Sequence, residues 1–121
     1  MTSKGTVLVA DDEAMLRRVV KKVLTRSGYE VDLAENGQQA VHLYDPNRYD
    51  LVILDRNMPI LDGIGALKKI RDIDPQARIV IASGESKEDI LAAAAPDMPT
   101  ALLPKPFTPR SLIDALETFI A

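Results

Sequence analysis

The chain of 121 residues contains no cysteine. It therefore forms neither a disulfide framework nor a thiolate metal site, and a reducing cytoplasm is compatible with this composition. The chain also has no excess of basic residues, because its formal net charge is −3 and its pI is about 5.1. Nucleic-acid-binding domains normally carry a net basic surface. We therefore expect no direct nucleic-acid binding.

The sequence has no apolar stretch as long as a signal peptide or a membrane span requires. Its first residues, MTSKGT, lead directly into a short apolar run. We therefore predict a cytoplasmic protein without membrane insertion. A chain of 121 residues with 46% hydrophobic content has the size of one domain with one core. The predicted domain spans residues 1–121.

Five short apolar runs alternate with segments of helical periodicity. The runs are Val7 to Ala10, Val31 to Ala34, Leu51 to Leu54, Ile79 to Ala82 and Ala101 to Leu103. Most are continuous rather than alternating, which is typical of strands buried on both faces. The predicted helices run from about Met15 to Ser27, Asn36 to Tyr44, Ile64 to Ile73, Ser86 to Ala95 and Thr108 to Ile120. The apolar face of the first helix contains Met15, Leu16, Val19, Val20, Val23 and Leu24. Such alternation predicts an α/β fold, with a doubly wound five-stranded parallel sheet.

Polar residues follow three of these runs directly and a fourth after one proline. Asp11 and Asp12 follow the first run, Asp55 the third and Ser83 the fourth, and Lys105 lies just beyond the fifth. The carboxyl ends of parallel strands form the ligand-binding edge of such a sheet. Three carboxylates at that edge repel one another and raise at least one pKa unless a cation is near. Lys105 and Mg²⁺, which prefers oxygen ligands, are the natural counter-charges.

This set of groups suits phosphoryl transfer. An aspartate carboxylate can attack phosphorus and form an aspartyl phosphate, and Asp55 is the best candidate because it ends the most apolar strand. Lys105 and the metal would neutralise charge on the phosphoryl oxygens, and the Ser83 hydroxyl would donate a hydrogen bond to one of them. The N–H of Gly84 can approach the phosphoryl oxygens closely because glycine has no Cβ.

Four motifs then carry a family resemblance: VLVADDE at 7–13, LVILDRNMPILDG at 51–63, IVIASGE at 79–85 and LLPKPF at 102–107. Together they resemble the receiver domain of two-component response regulators, of the chemotaxis type, over essentially the whole chain. The resemblance implies a flavodoxin-like (βα)5 fold with strand order 2-1-3-4-5 and a cis Lys105–Pro106 bond. It implies that Asp55 accepts a phosphoryl group from a phosphohistidine of a sensor histidine kinase or a histidine phosphotransfer protein.

The resemblance also assigns the remaining site residues. The implied magnesium ligands, direct or through water, are Asp11, Asp12, Asp55 and the carbonyl of Asn57. The implied phosphoryl-binding residues are Asn57, Met58, Ser83, Gly84 and Lys105. Asn57 and Glu85 occupy the positions that tune hydrolysis, and since both can orient water we predict rapid self-dephosphorylation. The chain is then a phosphoacceptor switch that catalyses only its own phosphorylation and dephosphorylation.

Two features of the resemblance concern how the phosphorylation state is passed to a downstream protein. Leu102 stands where receivers usually carry a tyrosine or phenylalanine that changes rotamer on activation. The surface of the fourth helix, fifth strand and fifth helix is where receivers present their phosphorylation state to a downstream protein. The alternative is that these apolar and small residues only pack against the sheet.

Other interpretations stay open. The acids after the first strand could simply favour a helix N-terminus, and Ser83 and Lys105 could be ordinary loop residues. The basic side of the first helix, with Arg17, Arg18, Lys21 and Lys22, is either solvated or a docking surface for the phosphodonor. An aspartyl-phosphate phosphatase would carry a second aspartate at position 57, where this chain has Asn57. A phosphorylation-independent adaptor, and a stand-alone or excised receiver, are also compatible with the sequence.

Overall fold

The computed structural model describes residues 3–120. Its strands are β1 (Thr6–Ala10), β2 (Glu30–Ala34), β3 (Leu51–Asp55), β4 (Ile79–Ser83) and β5 (Ala101–Pro104). Its helices are α1 (Ala14–Arg26), α2 (Gly37–Leu43), α3 (Gly63–Ile73), α4 (Lys87–Ala94) and α5 (Pro109–Ile120). The predicted elements are therefore confirmed within a few residues. Of the predicted domain 1–121, Met1, Thr2 and Ala121 lie outside the described residues.

The five strands form one parallel sheet in the order β2-β1-β3-β4-β5. This confirms the doubly wound α/β fold with strand order 2-1-3-4-5. The order reverses between β1 and β3, which are direct neighbours with Ala10 opposite Leu54. Ligands of such sheets bind beyond the carboxyl ends of the strands at this reversal. The predicted site residues Asp11 and Asp55 lie at that point.

Successive strand residues point to opposite faces of the sheet, so helices on both faces build two apolar clusters. One cluster contains Leu8, Leu54 and Ile81 and is covered by residues of α2, α3 and α4, among them Ala40, Leu67, Ile70 and Ile90. The other contains Val7, Val9 and Ile53 and is covered by α1 and α5 through Val20, Leu24, Leu112 and Leu116. This two-sided burial explains why the strand sequences are continuously apolar.

Local signals determine where the helices begin and end. Gly28 follows α1 with a φ of 99°, the left-handed conformation that glycine adopts without steric cost. Asn36, Asp62 and Ser86 cap α2, α3 and α4, each accepting a hydrogen bond from a backbone N–H three residues later. The Lys105–Pro106 bond is cis, as the resemblance implied, and so is Ala95–Pro96.

The prediction for α1 was partly wrong. Helical periodicity places Met15 and Val19 on its apolar face, yet Val19 is 48% exposed and Met15 is 74% exposed. Arg17 belongs to the basic side that we interpreted as solvated or as a docking surface, but its side chain is only 14% exposed. Within residues 3–120, the structure contains no helix with the length and apolar character that crossing a membrane requires.

Candidate functional site

The ends of four strands position the site. Asp11 directly follows β1, Asp55 ends β3 and Ser83 ends β4, and all three are buried. Backbone hydrogen bonds extend the pairing past the strand ends: the N–H of Arg56 donates to the carbonyl of Ala82, and that of Lys105 to the carbonyl of Ser83. The sheet therefore brings together residues that lie far apart in the sequence.

Three carboxylates meet at this edge. Asp11, Asp12 and Asp55 each offer an oxygen, and these oxygens lie within 4.8 Å of one another. Asp11 and Asp55 are buried, whereas Asp12 is exposed. A hard divalent cation such as Mg²⁺ binds one or two carboxylates and keeps several waters. Two buried carboxylates beside one solvent-facing carboxylate fit that requirement.

Lys105 supplies the positive charge of the cluster. Its Nζ lies 3.0 Å from Asp55 Oδ1 and 3.3 Å from Asp11 Oδ2. Burial raises the pKa of Asp55 and the charge of Asp11 adds to this rise, while the hydrogen bond from Lys105 lowers the pKa without cancelling it. Burial lowers the pKa of Lys105, but its hydrogen bond to Asp55 and the two carboxylate charges outweigh burial and raise it. We predicted a raised pKa from repulsion among the carboxylates, but burial of Asp55 is the larger cause of the rise and the charge of Asp11 a smaller one.

Ser83 and the loop after it form the next part of the site. The Ser83 Oγ accepts a hydrogen bond from the N–H of Glu85 at 2.9 Å, which leaves its own hydroxyl hydrogen free to donate. Gly84 is exposed, and a Cβ added there would meet only the carbonyl oxygen of Lys105, at 3.9 Å. Ser83 is thus a buried group at the end of β4, and Gly84 beside it is open to solvent.

The loop between β3 and α3 closes the other side. Asn57 is exposed, and Met58 is 9% exposed and packs into the core. Gly63, at the start of α3, lies directly on the Asp55 backbone, where an added Cβ would overlap the Asp55 carbonyl oxygen. Asp12, Asn57 and Met58 line one continuous surface cleft. The structure therefore brings every predicted magnesium and phosphoryl ligand to one edge of the sheet.

Leu102 lies farther from the carboxylates. It pairs with Ile81 in the β4–β5 register and is half-buried against the apolar cluster that α2, α3 and α4 cover. Leu91, Met98 and Leu102 line a surface groove between α4 and β5. The predicted output position thus lies on a strand that leads directly to Lys105.

Two arginines of the site were missed at the sequence level. Arg17 Nη1 donates to the carbonyl of Asp11 at 2.7 Å and so holds the β1–α1 loop. Arg56 Nη1 donates to Asp62 Oδ2 at 2.6 Å, and its Nε lies 3.5 Å from Glu85 Oε2. Arg56 directly follows the central aspartate, and that adjacency was the available signal.

Comparisons with known proteins agree with this geometry. A model of the response regulator receiver domain family matches residues 7–117. The chemotaxis protein CheY of Bacillus subtilis (strain 168) is 39% identical over 111 residues, which cover 91% of this chain and 92% of that protein.

Two solved structures extend the comparison. The receiver domain of a sensor histidine kinase from Pseudomonas aeruginosa PAO1, with magnesium coordinated in its active site cleft, has a TM-score of 0.86 and 26% identity, and covers 96% of this chain and 97% of its own. A CheX–CheY–BeF3–Mg complex from Borrelia burgdorferi has a TM-score of 0.86 and 26% identity, covering 97% and 90%. The chain is a single-domain, chemotaxis-type member of the response regulator receiver domain family.

Proposed function

We propose that Asp55 is the residue through which this receiver domain acts in two-component signalling. An Asp55 carboxylate oxygen attacks the phosphorus of a phosphohistidine, the P–N bond breaks, and its electron pair returns to the imidazole. The product is an acyl phosphate on Asp55. The observation that carries this assignment is the position of Asp55, central among Asp11, Asp12 and Lys105 at the reversal of strand order.

The neighbouring groups have separate roles in this proposal. Lys105 already contacts Asp55 at 3.0 Å, and its ammonium would pair with a phosphoryl oxygen once the carboxylate is phosphorylated. The Ser83 hydroxyl would donate to a second oxygen, and the N–H groups of Met58 and Gly84 would complete the binding of the phosphoryl group.

Asp11, Asp12, Asp55 and the carbonyl of Asn57 would hold Mg²⁺. When bound, the ion neutralises charge that the phosphoryl group brings to an already acidic pocket. The receiver domain from Pseudomonas aeruginosa, with its magnesium ion, supports this assignment. Asp11 also accepts from the N–H of Glu13 at 2.9 Å, which fixes the orientation of its carboxylate.

Self-dephosphorylation follows from the same site. The exposed Asn57 would orient a water for attack on the phosphorus, and Glu85 lies on the loop opposite. We propose that the acyl phosphate on Asp55 hydrolyses rapidly in Mg²⁺ and does not survive for many hours. Survival of a radiolabelled phosphoprotein for that long would contradict this.

The output surface of the proposal is α4–β5–α5. Phosphorylation adds about one to two negative charges, and nearly complete switching requires on the order of 5.5 kcal/mol of differential stabilisation. The groove lined by Leu91, Met98 and Leu102 gives a downstream protein an apolar contact on this face. Leu102 stands in place of an aromatic ring. The downstream protein would therefore recognise a phosphorylation-dependent change in the backbone of β5 rather than a change of ring rotamer.

The phosphodonor of the proposal is a sensor histidine kinase or a histidine phosphotransfer protein. The exposed Met15 and Val19, beside the basic residues of α1, offer it a docking surface. Because such donors take their phosphoryl group from ATP, we place the chain in the cytoplasm. The acidic net charge supports an output through protein contacts rather than through nucleic acid.

Beryllofluoride with Mg²⁺ tests the proposal, because it mimics the acyl phosphate without covalent turnover. We expect NMR shifts at Ser83, Lys105 and Leu102 in the parent protein and none in Asp55→Asn. Equal shifts in both proteins would place the acceptor elsewhere. Shifts confined to residues outside α4–β5–α5 would contradict the proposed output surface.

A further inference from the structure

Arg56 connects the two loops that border Asp55. Its N–H donates to the carbonyl of Ala82, and its own carbonyl accepts from the N–H of Gly63. Its Nη1 donates to Asp62 Oδ2 at 2.6 Å on the β3–α3 loop. Its Nε lies 3.5 Å from Glu85 Oε2 on the β4–α4 loop. One side chain therefore spans from α3 to the loop after Ser83.

In the pair of Arg56 and Glu85, the arginine is the more buried side chain. The Arg56 side chain is 18% exposed and that of Glu85 is 37% exposed. Arg56 Nε is buried and has no hydrogen-bond partner among residues 3–120. A buried donor without a partner is costly, so the nearby Glu85 carboxylate is attracted to the Nε. Glu85 is thus the more exposed partner, and Arg56, which also donates to Asp62, is the more constrained one.

Glu85 lies two residues after Ser83 in the sequence. Its N–H donates to Ser83 Oγ at 2.9 Å, and Ser83 borders the position of the phosphoryl group. The Glu85 backbone therefore lies one hydrogen bond from Ser83, and a carboxylate released from Arg56 would be free to turn towards the proposed position of the phosphoryl group. In this structure the carboxylate is directed to the guanidinium instead.

We infer that Arg56 is a positioning residue that holds the Glu85 carboxylate away from the acyl phosphate and so prolongs the phosphorylated state. The inference rests on the proposed function of Asp55. In the hydrolysis step, a water oxygen bonds to phosphorus, the bond from phosphorus to the Asp55 oxygen breaks, and its electrons return to the carboxylate. A released Glu85 accepts the proton of the attacking water.

The test is a double-mutant cycle of the parent, Arg56→Met, Glu85→Gln and the double variant. Each protein is phosphorylated with acetyl phosphate and Mg²⁺, freed of the donor by desalting, and followed by intact mass. We expect Arg56→Met to shorten the lifetime about fivefold to tenfold, less than the roughly hundredfold of a fully positioned base. In the Glu85→Gln background, the same change should alter the lifetime less than about twofold.

Asp62→Asn is the matched control. It removes the charge of the other Arg56 partner and the Oδ2 that accepts from Arg56 Nη1, while the asparagine Oδ1 still caps α3 by accepting from the N–H of Gly65. Its lifetime should remain within about twofold of the parent because Glu85 stays paired. A shortening equal to that of Arg56→Met would overturn the inference, since it would indicate a general charge effect.

The outcomes separate the two claims. If the parent gains no phosphoryl group on Asp55, the proposed function fails. If the parent is phosphorylated but Arg56→Met does not change the lifetime of the phosphorylated form, the inference is overturned. It is also overturned if Arg56→Met shortens that lifetime equally in the parent and in the Glu85→Gln background. Thermal unfolding verifies that each variant folds. Should Arg56→Met fail to fold, Arg56→Lys carries the same test, because lysine has one nitrogen in place of the separate Nη1 and Nε that face Asp62 and Glu85.

Discussion

The Lys105 ammonium lies 3.0 Å from Asp55 Oδ1 and 3.3 Å from Asp11 Oδ2. One cation beyond β5 therefore pairs with two buried carboxylates at the ends of β3 and β1. A single positive charge compensates the two carboxylates only in part. Its consequences for stability, and those of the loops around it, can be measured.

Lys105→Met should lower the free energy of unfolding in the absence of Mg²⁺. The loss should be about 2 kcal/mol, below the ~3–5 kcal/mol of fully buried pairs, because the Lys105 side chain is 22% exposed. Mg²⁺ should restore much of the stability by replacing the missing cation. Urea denaturation with and without Mg²⁺ measures both effects, and the exposed Lys69→Met is the control. An equal loss under both conditions would contradict this account.

Asp55→Asn should be more stable than the parent at neutral pH without Mg²⁺. Since the pKa of Asp55 is raised above 3.8, the folded state binds this proton more tightly than the unfolded chain does. The ionised carboxylate therefore destabilises the fold above its folded pKa, and this penalty disappears as the pH falls towards 3.8. Urea denaturation at several pH values should give a difference that shrinks on acidification. A less stable Asp55→Asn at neutral pH would oppose the prediction.

Gly63→Ala should destabilise the protein by about 2 kcal/mol, as overpacking against rigid groups does. The new methyl would overlap the carbonyl oxygen of Asp55, which lies in a central strand. Gly65→Ala is the matched control in the same helix, since its methyl would meet the flexible Leu61 side chain. Higher helix propensity offsets that contact, so its change should stay below about 1 kcal/mol. Equal unfolding free energies for the two variants would refute this.

Arg71→Met should loosen the segment that precedes β5. Arg71 donates to the carbonyl oxygens of Ala77 and Met98 at 2.9 and 2.8 Å and to Thr100 Oγ1 at 3.4 Å. Removing these hydrogen bonds should lower the free energy of unfolding by about 1–2 kcal/mol. Hydrogen exchange should accelerate at the N–H of Thr100, which donates to the carbonyl of Ile79 at 2.7 Å, in this variant and not in the exposed control Asp72→Asn. Unchanged exchange there would show that Arg71 does not hold the segment.

Strand positions and the central site residues were predictable because their signals are local. A continuous apolar run indicates a strand buried on both faces, and the residue after it must lie at the carboxyl edge. Asp55 and Lys105 follow such runs, so their meeting could be predicted. The strand order itself came from the family resemblance, since apolar runs do not specify which strands are neighbours.

The arginine contacts could not be predicted in this way. Arg17 and Arg56 reach carbonyl and carboxylate groups through long, flexible side chains, and helical periodicity does not determine where such side chains end. The exposure of Val19 has a related cause. Helix α1 covers the edge of the sheet beside β2 and α5, so its apolar stripe is wider than the surface that it buries.

Intact mass after incubation with acetyl phosphate and Mg²⁺ tests the central claim most directly, because it counts covalent phosphoryl groups. We expect one phosphoryl group on the parent, none on Asp55→Asn, and none on the parent when EDTA removes the metal. A phosphoryl group retained by Asp55→Asn, or acquired equally well in EDTA, would contradict the claim that Asp55 accepts it within a magnesium-dependent acidic site.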